Sequence, residues 1–159
     1  MQRLFMIGLL LVGLSVTSFA QKTFDIAAFY KAMASTELQD VERQLTILSH
    51  TSLAEKEAYE GSLIMKKSGF PAKAKEKLKL FKEGRLKLEN AITKDAANAE
   101  YRLLRLIIQE NAPKVVKYRS DIEKDAAIVQ SAYKKLSPAI QQAVIDYSKT
   151  SKNLKLSGS

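Results

Sequence analysis

An all-α fold of antiparallel helical hairpins, stacked in a bundle or short solenoid, is predicted by three features of the chain. From residue 36 onward apolar residues recur at intervals of three and four, which lines them up along one face of a helix. The alternating β-branched runs that a half-buried strand needs are missing. Helix-starting and helix-stopping residues punctuate the pattern at short intervals, so consecutive helices must fold back on one another.

Residues 1–20 read as a cleaved secretory signal. Arg3 precedes an apolar run of about 13 residues, Leu4 to Val16, and the small Ser18 and Ala20 place a cleavage site before Gln21. That run is shorter than the ~20 residues a membrane-spanning helix requires. Its glycines, Gly8 and Gly13, have the spacing of a phosphate-binding loop, but Leu14 stands where the lysine must be, so the match is a coincidence. Residues 21–35, with Phe24, Ile26, Phe29, Tyr30 and Met33, fit either a short helix on the core or a flexible start.

A single helical domain is expected over 36–150. Its first helix runs from Thr36 to Ser49, with Thr36 and Gln39 as a capping box and Leu38, Val41, Leu45 and Leu48 facing inward. Ser52 and Glu55 form the box of a second, which ends at Lys67 before Gly69 and Pro71 and folds back on the first. A third runs from Pro71 to Lys94, its stripe made by Ala74, Leu78, Phe81, Leu88 and Ile92, with Gly84 and Ala91 alongside. Asn98 caps a fourth, Ala99 to Asn111, which is apolar around much of its circumference and so belongs at the centre; Pro113 stops it. Ser120 with Glu123 opens a fifth, carrying Ile122, Ala126, Val129, Tyr133 and Leu136. Ser137-Pro138 starts the last, with Ile140, Val144 and Tyr147 inward, and the polar tail 151–159 is expected to fray.

Composition narrows the function classes. The 159 residues include Cys 0 and His 1, which excludes thiol nucleophiles, cysteine metal sites, disulfides and a lipobox cysteine and leaves little imidazole chemistry. No motif indicates a catalytic residue, a cofactor or a metal, and a non-enzymatic protein is expected. Without Arg3 the chain carries 25 basic and 17 acidic side chains, about +8 in all. Such a balance fits either ordinary solubility or an anionic envelope surface; no specific nucleic acid is expected. Export without cysteine points to a bacterial periplasmic or extracellular location.

The stretch Asp95-Ala96-Ala97-Asn98-Ala99-Glu100-Tyr101 resembles the junction between two tetratricopeptide repeats, with Gly84, Leu88 and Ala91 upstream and Leu104 and Ile108 downstream in matching positions. The resemblance covers residues 80–110, and residues 98–113 also resemble small exported bacterial helical proteins of unassigned function. Both imply a helical-hairpin scaffold that binds other proteins or peptides, and neither implies a catalytic residue.

Charges on apolar faces mark the candidate site. Arg85 lies in the stripe of the third helix, and Glu100 and Arg105 flank Tyr101 and Leu104 on the fourth. A charge cannot be desolvated cheaply without a partner. These groups therefore either bridge adjacent helices or, with Arg102, line a groove between the third and fourth helices that takes a carboxylate or phosphate of an acidic partner. The lysines at 73, 75, 77, 79, 82 and 87 form either an anion-binding ridge or a solvated face. Asp121, Glu123 and Asp125 begin like a calcium loop, but Ala126 and Ala132 break the pattern, so they read as first-turn acids. His50 reads as a helix C-terminal group, and Tyr101, Tyr118, Tyr133 and Tyr147 as packing residues rather than stacking platforms.

Overall fold

A computed structural model describes residues 24–156. The predicted signal at 1–20, residues 21–23 and the last three residues of the tail lie outside the described residues. Within them the chain is all-helical, with seven α-helices and no strand: α1 Ile26–Ala34, α2 Leu38–Ser49, α3 Lys56–Lys67, α4 Ala74–Lys94, α5 Ala99–Asn111, α6 Ile122–Ala132 and α7 Pro138–Ser148. Short 3₁₀ turns occupy Lys114–Val116 and Tyr133–Lys135.

Of the capping predictions, Asn98 is borne out: its Oδ1 accepts from the Glu100 and Tyr101 N–H groups at 3.1 and 3.2 Å. The boxes at Thr36, Ser52 and Ser120 do not form, and α2, α3 and α6 start later than those residues imply. At α2 the neighbouring Ser35 takes the role, accepting from Glu37 N at 3.0 Å and donating to Asp40 at 2.7 Å. Ser120 instead donates to Asp121 at 2.7 Å, while the Asp121 N–H goes to Gln109 Oε1 at 3.2 Å. Asp25 caps α1 by accepting from Ala28 N at 3.0 Å, so the described part of 21–35 is a helix. Phe29 sits at its centre against Tyr59, with ring centroids 4.6 Å apart.

Cross-links give the registers. Glu57 pairs with Lys94 and Glu60 with Lys87, so rising numbers on α3 meet falling numbers on α4 and the two are antiparallel. Lys56 with Ser49 and Glu42 with Lys67 run α2 and α3 antiparallel in the same way. Arg105 with Asp125 and Gln109 with Asp121 do so for α5 and α6. At the α3–α4 crossing two glycines touch: a Cβ on Gly84 would stand 2.5 Å from Gly61 O and 2.7 Å from Met65 N. No larger residue fits there without parting the helices.

Ten of the thirteen α5 residues are buried, as its all-round apolar character predicts. Leu104 and Ile108 face a core made with α1 to α4, where Phe29, Leu48, Leu63 and Leu88 are fully buried. Leu103 and Leu106 face a second core with Val129 of α6, Val144 of α7 and Leu154. The tail through Leu156 is therefore packed rather than frayed. Ser151 accepts from Leu154 N at 2.9 Å, and Glu110 accepts from Ser151 Oγ at 2.7 Å and from Asn153 Nδ2 at 2.6 Å. These bonds, with that from the Tyr147 hydroxyl, hold the Glu110 pKa below the usual carboxylate range although burial pushes it up. Packing of α1 on α7 brings the two ends of the described chain together.

Candidate functional site

The charges of α5 are buried and paired. Arg105, 5% exposed, forks onto Asp125, with Nε to Oδ2 at 2.6 Å and Nη2 to Oδ1 at 2.8 Å; Nη1 reaches Glu89 of α4 at 3.1 Å. Asp121 adds a fourth contact at 3.4 Å. Burial works against the Arg105 charge, but the hydrogen bond and field of Asp125, with Glu89 and Asp121, outweigh it and raise the guanidinium pKa. Arg102 donates to Ala96 O at 2.8 Å and lies 3.7 Å from Asp125, while its Nε has no partner.

Glu100 points the other way. Its Oε1 accepts from the hydroxyls of Tyr59 at 2.9 Å and Tyr30 at 3.1 Å, tying α5 to α3 and α1. Burial pushes its carboxyl up, against the pull of the two tyrosine hydrogen bonds. The same burial, reinforced by the nearby Glu100 charge, raises both tyrosines, which stay protonated donors.

Among the four site residues of the sequence reading, only Arg85 is exposed. Its guanidinium carbon sits 4.6 Å over the ring of Tyr118, whose hydroxyl donates to Glu89. The structure thus seats Arg85 on a tyrosine whose hydroxyl shares the Glu89 carboxylate with Arg105, keeps Arg102 inside, and sends Glu100 to another helix interface. They do not line an open groove between α4 and α5. A buried arginine must neutralise itself within the protein, and Asp125, whose first-turn placement gave no hint of its burial, is the group that does so. Sequence periodicity shows that Arg105 faces inward but not which carboxylate waits there.

The open cleft lies elsewhere. A groove of about 650 Å³ runs between α1 and α7 over α5. Ala27, Met33 and Ala34 form one wall, Ala139, Ala143 and Tyr147 the other, and Ile107 and Ile108 the floor. Ala27, Ala34, Ala139 and Ala143 contribute to both walls, and their small size is the one signal the sequence offered. Three charged side chains reach it: Lys31, Lys66 and Asp146. Asp146 is taken by Lys149 at 2.6 Å and Gln142 at 3.1 Å. Lys66, at the end of α3, is half-buried with no acidic partner among the described residues, and burial lowers its pKa. Asn111 is already bonded to Ile107 O at 2.8 Å.

No protein-family model, curated protein or solved structure matches the chain.

Proposed function

We propose that the chain is an exported, non-enzymatic interaction module that holds an acidic, apolar-faced helix of a partner protein or peptide in the groove between α1 and α7. The carrying observation is an open apolar groove containing an ammonium group with no carboxylate of its own. Apolar walls reward burial of side chains, and the Lys66 ammonium offers a partner to a carboxylate on the occupant, whose charge offsets the cost of burying that ammonium. The polar side chains Asn111 and Gln142 are already engaged, so an occupant that satisfies its own backbone hydrogen bonds fits better than an extended one. The ionisable groups inside the fold are spent on holding helices together, which supports binding rather than catalysis. The reading of 1–20 as a signal supports export, and the tetratricopeptide likeness of residues 80–110 supports a scaffold that binds proteins.

The test is capture from an envelope extract by the full chain, washed at about 50 mM and about 500 mM salt to strip exposed charge contacts. Ala27→Trp, which fills the groove from its exposed wall, and Lys66→Gln run in parallel. The expected result is one defined protein kept at the higher salt by the wild type, lost to Ala27→Trp and weakened by Lys66→Gln. Retention should also fall as pH rises through the lowered Lys66 pKa, and Lys66→Gln should remove that dependence. Equal retention by Ala27→Trp overturns the reading.

A second reading, recruitment of an anionic envelope polymer, lipid or nucleic acid by positive charge, is favoured by one observation. Lys87 and Lys94 in the second half of α4 are paired with Glu60 and Glu57, whereas Lys73, Lys75, Lys77, Lys79 and Lys82 at its start are exposed and have no acidic partner among the described residues.

A further inference from the structure

Resting on that second reading, we propose that the exposed face of α4 between Lys75 and Leu86 docks on an anionic lipid surface, its ammonium groups meeting headgroup phosphates while Leu78 and Leu86 enter the interface. α4 has 21 residues and its antiparallel partner α3 has 12, so the start of α4 outruns the helix that covers it. Every residue from Ala72 to Lys79 is exposed. At 100° per residue Lys75, Leu78, Lys79, Lys82 and Leu86 fall within an arc of about 100°, with Leu78 at its edge nearest the buried Phe81 and the other four turned away from Phe81, Gly84 and Leu88. Glu76 and Glu83 fall outside that arc.

Apolar side chains decide between anionic partners. The large hydrophobic residues exposed among those described are Ile47, Leu78, Leu86 and Val115, with Leu86 at 64% and Val115 at 83%. Two of them interrupt the lysine face. Val115 lies between Lys114 and Lys117 on the 3₁₀ turn that Tyr118 fastens to Phe81, with ring centroids 5.8 Å apart. Leucine among solvated lysines gains nothing from a polyphosphate backbone in water but gains burial at the boundary between headgroups and acyl chains. The arc also lacks an aromatic residue on which a base could stack.

Sedimentation with vesicles of phosphatidylcholine, alone or mixed 3:1 with phosphatidylglycerol, tests this with the full chain and its variants, so that residues 1–20 are common to every sample. The wild type should bind the mixed vesicles far better than the neutral ones at about 50 mM salt. Lys75→Gln/Lys79→Gln/Lys82→Gln should bind roughly 100-fold more weakly, at about tenfold or less per basic residue near the surface. Leu78→Ser/Leu86→Ser should keep the charge attraction at low salt and lose what binding remains at about 500 mM. All the substituted side chains are exposed, and unchanged helix content and Tm in the variants identify a surface effect. A 20-base-pair DNA duplex is the third arm. If it binds as well as the mixed vesicles and the leucine variant behaves as wild type, the charge reading stands and the lipid proposal falls. If the triple lysine variant binds both as the wild type does, both fall.

Discussion

Removing the guanidinium of Arg105 would leave the fully buried Asp125 with only Arg102, 3.7 Å away, and would take from Glu89 and Asp121 the cation they share. Breaking a buried pair by deleting one member costs about 3–5 kcal/mol. Arg105→Ala should therefore lower unfolding stability by that order in a urea titration, while Arg105→Lys, which keeps the charge without the planar fork, should lose less. A variant with wild-type stability would show that the fork contributes nothing. Glu100 has the opposite sign. Its folded carboxyl pKa is raised, so between the unfolded value and that raised value the folded state holds more protons, and stability falls as pH rises through the window. Glu100→Gln keeps an oxygen acceptor for Tyr30 and Tyr59 without the charge. We expect a higher Tm than wild type at neutral pH and a gap that closes near pH ~4, where the unfolded carboxyl titrates. Parallel pH profiles for the two proteins would refute this. Both residues were visible in the sequence as charges on apolar helix faces; what stayed hidden was the direction of each, since partners 20 and 41 residues away meet only in the fold.

At the level of elements, α3 and α4 owe their close crossing to Gly61 and Gly84. A methyl group at 84 would press on α3 backbone at 2.5 Å, which cannot swing aside as a side chain can. Alanine is the better helix former by about 1 kcal/mol, but overpacking commonly costs about 1–3 kcal/mol and outweighs it. Gly84→Ala should lower Tm, and an unchanged or raised Tm would count against backbone contact. Gly84 was legible as a small inward residue; Gly61, its counterpart, carried no periodic signal. Helix existence was legible from residue 36 onward, from 3.6-residue periodicity and from the prolines and glycines between some of the helices, whereas α1 was left open between a helix and a flexible start. The starts were read less well: Thr36, Ser52 and Ser120 have the right chemistry, but each N-terminus followed the local hydrogen bonds instead. Likewise Ala74 and Leu78 belong to the apolar stripe of α4 by spacing yet stand in solvent, because α3 is too short to cover them.

The molecule as a whole is held by α5, which contributes Leu104 to one core and Leu103 to the other. Tyr30 and Ile107 touch both. Leu103→Ala, costing about 2–5 kcal/mol as a buried deletion, should therefore reduce amide-exchange protection in α3 as well as in α6 and α7. Loss confined to α6 and α7 would mean that the two cores open independently. The chain's composition and periodicity determined the all-α class, the number and order of the helices after residue 36, the central place of α5 and the absence of cysteine chemistry, because these follow from local preferences and one-dimensional spacing. The tertiary structure decided which buried charges pair, that the tail through Leu156 packs, that α1 meets α7 so as to leave a groove over α5, and that Lys66 stands half-buried in it without an acidic partner among the described residues. Each of these depends on which surfaces distant segments bring together, and spacing along one helix carries no record of what lies opposite.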